Sequence, residues 1–199
     1  MDVPMSHDLP LTKEMILDAA EQVLRRFGPD KTSVVDIAKV LQVSHGTLYR
    51  HFPSKAALRE AVTQRWLQGC ISAPLEEIAS ETQGSATERL YRWLTTLRNS
   101  KKEYFTTDAE MFAMYASETE GSVEMVKEHA EHLVQQIARI VEQGIQTKEL
   151  KPGNPETIAR AIFLATSRFH HPAHAQHWLA DEEEDDFQLV WELLLRGLV

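Results

Sequence analysis

Apolar residues recur along almost the whole chain at intervals of three and four, and no stretch alternates apolar with polar residues at every second position. The first spacing lays a stripe along one face of a helix, whereas alternation would lay it along one face of a strand. The chain is therefore expected to be all-α. Ile16, Ala19, Ala20, Val23, Leu24 and Phe27 form the first stripe, which stops at Gly28 and Pro29. Ser33 is placed to cap a short helix over residues 34–41, and Ser44 to cap another over 45–52. Pro53 and Ser54 separate that helix from a fourth over 54–71, whose stripe includes Leu58, Val62, Arg65 and Trp66; Pro74 is expected to kink or end it. Residues 80–85 read as a linker.

Four or five more helices follow. Leu90, Trp93, Leu94 and Leu97 mark one. Thr107 and Glu110 have the capping-box spacing and are expected to open the next, with Phe112 and Tyr115 inside it. A long helix is expected over about 122–145, carrying Val126, Leu133, Ile137, Ile140 and Val141. Asn154 before Pro155 signals another start; that helix carries Ile158, Ile162, Ala165 and Phe169, and Pro172 stops it. The last is expected to begin near Asp186 and to carry Phe187, Val190, Trp191, Leu194, Leu195 and Leu198. There is no internal repeat.

The stretch from Thr32 to Leu58 carries the functional signal. Two short helices joined by Gln42, Val43 and Ser44 have the spacing of a helix-turn-helix. In such motifs the start of the second helix faces base edges in the major groove. Here that start is small or polar: Ser44, His45, Gly46 and Thr47. Small residues allow close approach, while His45 and Thr47 offer hydrogen-bonding groups to bases. Tyr49, Arg50, His51 and Lys55 follow at positions suited to phosphate oxygens. The formal charge of −9 runs against DNA binding, but it is unevenly spread. Residues 24–68 carry eight basic and three acidic side chains, whereas 71–199 carry 12 basic and 22 acidic ones. A basic segment can meet phosphate while the acidic remainder stays clear of it.

These residues resemble a known family. Thr32, Ser33, Asp36, Ile37 and Ala38, followed by Val43, Ser44, Gly46, Thr47, Leu48, Tyr49, His51, Phe52, Ser54, Lys55 and Leu58, resemble the signature of the TetR/AcrR repressors over about 45 residues. Gln42 departs from it, standing where the family usually has glycine; another residue serves there if the turn needs no strongly positive φ or accepts some strain. The resemblance implies homodimers of all-helical subunits, whose last two long helices form a four-helix bundle between subunits. It also implies a ligand held within the C-terminal domain, with the fourth helix transmitting the change to DNA. On this reading residues 1–55 bind double-stranded DNA, and 56–199 dimerise and bind a small-molecule effector. The expected DNA-contacting set is Thr32, Ser33, Ser44, His45, Gly46, Thr47, Tyr49, Arg50, His51 and Lys55. Phe169, Trp191, Leu194 or Leu195 are expected between subunits, and the operator is expected to be palindromic.

Trp93, Leu97, Met111, Phe112 and Tyr115 are expected to line the effector cavity, which would suit a largely apolar ligand; the competing reading is ordinary core. His170, His171, His174 and His177 invite a metal, but Pro172 interrupts the helix that would align them, so no metal or other cofactor is expected. His129 and His132 read as a solvated face. The run from Asp181 to Asp186 is expected to solvate a loop and favour the start of the last helix. Cys70, the one cysteine, can form no intramolecular disulfide and is expected to be buried and inert. No apolar run reaches 18 residues and residues 1–10 have no signal-peptide core, so a cytoplasmic protein without a membrane partner is expected. An enzyme was the rival class. The chain has no nucleophile elbow, phosphate loop or dinucleotide fingerprint, and no Glu-x-x-His pair of the kind a di-iron bundle uses. A helix-turn-helix used only for packing would not need Tyr49, Arg50, His51 and Lys55 beside small residues.

Overall fold

The structure is a computed structural model that describes residues 10–121 and 124–199. Among the described residues there are ten α-helices and no strand. The expected start of the long helix at 122, and the reading of residues 1–9, lie outside them. The chain divides into two compact units, one ending at Val62 and the other beginning at Thr63. The division falls inside a helix, beyond the 55/56 boundary expected from sequence. Leu58 and Val62 of that helix belong with Ala20, Leu24 and Ile37 around one apolar gap.

The first unit contains α1 (Lys13–Phe27), α2 (Val34–Val40), α3 (His45–Tyr49) and the start of α4 (Lys55–Leu67). Each start is fixed by a local side chain. Thr12, Ser33, Ser44 and Ser54 hydroxyls accept from the amides of Met15, Asp36, Thr47 and Ala57, at 3.2, 3.2, 3.3 and 3.0 Å. Such caps satisfy amides that have no partner inside the helix. Ile16, Ala20, Val23 and Leu24 pack with Ile37, Ala38, Leu48 and Phe52 in the buried core. Phe27, counted in the first stripe, is exposed because it sits in the last turn, beside Gly28.

In the second unit α4 ends at Leu67 and passes into a π-helical turn, Gln68–Ser72. The break therefore precedes Pro74, which takes an N-terminal position of α5 (Ala73–Ser80), where its missing N–H costs nothing. Then come α6 (Ala86–Thr107), α7 (Ala109–Glu120), α8 (Glu124–Gln146) and α9 (Pro155–Ala165). Two 3₁₀ segments, Ser167–Phe169 and Pro172–Leu179, lead to α10 (Glu183–Leu198). Thr107 does not open a helix as expected: α6 runs through it, its hydroxyl turns back to Glu103 O at 2.9 Å, and Asp108 instead accepts from Trp66 Nε1 at 3.1 Å. The last helix begins three residues before Asp186 because Glu183 is drawn inward by Arg98 (Nε to Oε1 2.6 Å). The acidic run is thus partly a buried counter-ion rather than wholly solvated.

α6 is the centre of this unit. Leu90, Trp93, Leu94 and Leu97 are buried against Leu133, Ile137, Ile140 and Val141 of α8 and the neighbouring helices. Side chains of this size contribute about 1.5–3 kcal/mol each on full burial. Gln136 is fully buried among them: it accepts from Trp93 Nε1 at 3.0 Å and donates to Ser72 O at 3.1 Å, tying α6 and α8 to the π turn. Phe169 and Trp191, expected between subunits, are buried within the protomer instead, against Phe187 and Tyr91. Leu194 and Leu195 are half-buried; the residues left out in solvent on α9 and α10 are Leu164, Leu189 and Leu193.

Candidate nucleic-acid interface and effector cavity

Leu48 anchors α3 in the core, and the opposite face of the helix stands in solvent. His45, Gly46, Tyr49 and Arg50 are exposed, and the His45 and Tyr49 rings meet edge to face, centroids 6.4 Å apart. Ser44 Oγ lies 2.9 Å from Thr47 Oγ1, which also accepts from Arg50 Nη2 at 3.2 Å. These contacts line up three polar groups along one side of the helix start. Lys55 is exposed at the start of α4, and His51 is half-buried. Ser33 is committed to capping α2, where its hydroxyl also meets Asp36 Oδ2 at 2.5 Å. Thr32, expected at DNA, is buried with its hydroxyl donated to Gly28 O at 2.7 Å. It closes the turn after α1 and presents no polar group outward.

The turn before α3 explains Gln42. Val43 N donates to Ala38 O at 3.0 Å and Gln42 N to Lys39 O at 3.2 Å, the paired bonds that end a helix through a left-handed residue. Gln42 is that residue, with φ of 55°.

The second unit holds a part-open cavity of about 380 Å³ between α6, α7, α8, the end of α9 and the segment after it. Of the five residues expected to line it only Tyr115 does; Trp93, Leu97, Met111 and Phe112 are packed away in the core. Val126, Leu133, Phe163 and Leu164 supply its apolar wall, and Lys101, His129, His170 and His171 its polar one. His129 does not belong to a solvated face as the sequence suggested. It turns inward, with Nδ1 3.3 Å from Ser72 Oγ, and burial holds its pKa well below the ordinary value. His170 stacks on Phe163 with centroids 4.5 Å apart and Nε2 3.2 Å from Phe163 O; burial, helped by the Lys101 charge, draws its pKa to about 3. Lys101 is pulled down to about 7 by burial alone. One sequence signal could have found it: Leu90, Leu94 and Leu97 continue to position 101 at the same spacing, where an apolar residue belongs. A larger groove of about 550 Å³ on α8 and α9 is open and edged by Glu131, Glu156 and Arg160, which makes it a poorer enclosure for a small molecule. His170, His171, His174 and His177 do not converge. The first faces the cavity, His171 Nδ1 accepts from Ala173 N at 3.3 Å, and no group of three metal-ligating side chains occurs among the described residues. Cys70 is half-buried on the π turn. None of the described helices is long and apolar enough to cross a membrane.

Residues 16–62 match the family described as bacterial regulatory proteins, tetR family, and residues 86–191 match the tetracyclin repressor-like C-terminal domain. The chain belongs to the TetR family. It is a helix-turn-helix transcriptional regulator. Among relatives of this TetR-family chain, an HTH-type transcriptional regulator of Staphylococcus aureus is 31% identical over 101 residues, 50% of this chain and 53% of that protein. The match thus spans about half the relative's length. Two solved TetR-like structures share the fold: SmeT, the repressor of the Stenotrophomonas maltophilia multidrug efflux pump SmeDEF (TM-score 0.66, 20% identity, 96% of this chain and 91% of that one), and FadR of Bacillus subtilis in complex with stearoyl-CoA (TM-score 0.65, 21% identity, 94% and 100%).

Proposed function

We propose that this TetR-family chain represses transcription as a two-fold homodimer on a palindromic operator, and that a small molecule entering the cavity of the second unit releases it. The observation that carries the DNA half is the start of α3: His45 is exposed, with Thr47 half-buried beside it, on a helix whose underside is anchored by Leu48. In this reading His45 and Thr47 contact bases, Gly46 lets the helix approach, and Ser44, Tyr49, Arg50, His51 and Lys55 meet phosphates. The first unit is then the DNA reader, working in the cytoplasm, and the second joins the subunits and holds the effector. Dimerisation is supported by Leu164, Leu189 and Leu193, which are 64%, 66% and 73% exposed on α9 and α10. The names of SmeT and FadR, a repressor of a multidrug pump and a complex with an acyl thioester, support an effector with a large apolar part.

His129 lines both the cavity and a smaller space of about 170 Å³ formed with Leu67, Gln68 and Ser72, where α4 ends. In this reading a ligand that displaces His129 pushes on the π turn at the end of α4. A ligand shifts DNA affinity only if it binds the two conformations unequally; a coupling of ~1–3 kcal/mol weakens DNA binding several-fold to about a hundredfold.

Selection from a randomised DNA pool tests the assignment. The wild type should recover an inverted repeat, and the double substitution His45→Ala, Thr47→Ala should change the preferred half-site, each good base contact being worth ~1–3 kcal/mol of discrimination. An unchanged preferred sequence would overturn the choice of base readers.

A further inference from the structure

Two cations on α6 point inward one turn apart, and they are treated differently. Arg98 finds counter-ions at the start of α10: its Nε meets Glu183 at 2.6 Å and its Nη2 meets Glu184 at 2.7 Å. Lys101 is even more buried, at 1% exposure, yet its ammonium has no hydrogen-bond partner among the described residues. It sits 3.9 Å from the centre of the Tyr115 ring, which offsets part of the charge but accepts none of its N–H bonds in ordinary geometry. The side chain forms part of the cavity wall, which Lys127 also lines, and among the described residues no aspartate or glutamate lines that cavity.

A second unpartnered group stands on the same wall. His129 Nε2 is buried without a hydrogen bond, while Nδ1 lies 3.3 Å from the Ser72 hydroxyl. Either group of this pair could be the donor; we take the serine hydroxyl to donate to Nδ1, which leaves the ring proton on Nε2 as a donor. His170 is not free in this way, since its Nε2 is engaged by Phe163 O and Thr166 Oγ1. Two donors without acceptors therefore line a cavity whose remaining wall includes Val126, Leu133 and Phe163. Buried polar groups in native proteins nearly always have partners, so the missing acceptor is expected to come from outside the described residues.

We propose that the cavity takes a small amphipathic acid, with its carboxylate against Lys101 and His129 and its apolar body along Leu133 and Phe163. This rests on the reading of the cavity as the effector site and narrows it from an apolar ligand to an apolar acid. A carboxylate has lone pairs enough for both donors and supplies the counter-charge that Glu183 and Glu184 supply to Arg98. At roughly 30 Å³ per non-hydrogen atom, 380 Å³ holds about a dozen such atoms. Decanoate is of that size, and 1-decanol is its uncharged counterpart.

Binding also moves a proton. Burial draws the Lys101 ammonium to a pKa of about 7, with Tyr115 of α7, Lys127 and His129 of α8, and His170 and His171 of the segment after α9 sharing the cavity. Above that pH the free protein holds the amine largely neutral, and a bound carboxylate brings the proton back.

Calorimetric titration of the full-length protein with decanoate, 1-decanol and decylamine tests this. The wild type should bind decanoate at least about tenfold more tightly than 1-decanol and should discriminate against decylamine. Lys101→Met keeps the length of the side chain and removes the charge. It should bind decanoate and 1-decanol about equally, with a melting temperature no lower than the wild type's. At pH 8 the wild type should take up about one proton per decanoate bound, and Lys101→Met none. Leu133→Trp, which fills the cavity, should remove binding of both probes. Equal affinity for decanoate and 1-decanol in the wild type, a preference for decanoate that survives Lys101→Met, or binding of neither probe would overturn the acid site. If decanoate binds through Lys101 but operator affinity does not change, the effector reading fails and the acid site stands. If both probes release the operator equally well, the effector reading stands and the acid site fails.

Discussion

Gln42 holds a backbone conformation that suits glycine. A left-handed φ costs an L-residue ~1–2 kcal/mol, and glycine there avoids that at an extra ordering cost of ~0.5–1 kcal/mol. Gln42→Gly is expected to stabilise the protein by ~0.5–1 kcal/mol, read from urea unfolding followed by circular dichroism; a loss of stability would show that the Gln42 side chain makes a compensating contact. Gly46 lies two residues before the buried Leu48 and raises the opposite question. A Cβ placed there meets only Ser44 Oγ, at 3.8 Å, so the fold has room for alanine. Gly46→Ala should leave the melting temperature within about 1 °C and still weaken operator binding, because the added methyl stands on the face proposed to enter the major groove. Unchanged operator affinity would remove Gly46 from the contact set. Both residues were visible in the sequence as departures from, or matches to, a signature. Lys101 is not legible in this way, because a lysine in an apolar stripe reads as exposed until its neighbours are known.

At the scale of elements, helix starts were legible where the capping group is local. Ser33, Ser44 and Asn154 each bond an amide three residues on. The start of α6 was only half legible. Ser85 caps it, but Glu149, more than sixty residues away, also accepts from the amides of Ala86 at 2.7 Å and Thr87 at 2.9 Å. Burial pushes the Glu149 carboxyl up, but the bonds from Ser85, Thr87 and Ala86 outweigh it and hold the pKa at about 2. Between pH 2 and the ordinary value of 4.5 the unfolded chain binds the proton and the folded chain does not, so stability rises with pH across that window. Partial exposure screens the effect to about 1–2 kcal/mol. Glu149→Gln should lower stability by that amount at pH 6 and converge with the wild type near pH 2; parallel stability curves would mean that the carboxylate charge does not hold α6. Gln136 escaped notice for the same reason as Glu149, since its partner Trp93 lies 43 positions back.

At the scale of the whole molecule, Leu189 and Leu193 lie one turn apart on α10, and they are the apolar side chains this helix leaves in solvent. The apolar pattern gave the helix but not its outward face, because Trp191 and Phe187 could equally have been turned out. Leu193→Glu is expected to shift the protein to monomer in light scattering at micromolar concentration and to abolish specific operator binding. Leu194→Glu strikes a half-buried position and should cost folding stability as well. A Leu193→Glu protein that remains dimeric would place the interface elsewhere.

If the proposed acid fills the cavity, it completes a core in which the Lys101 ammonium has no partner among the described residues. A molecule that binds only the folded state adds about 2.7 kcal/mol of stability at a hundred times its dissociation constant. Against a total of 5–15 kcal/mol for ordinary domains, that is enough to change how often the chain unfolds and is degraded. Cells rich in such an acid would accumulate more of the regulator while less of it sat on DNA. When the acid was exhausted, the surplus would return to the operator at once, so the response would shut off faster than it began.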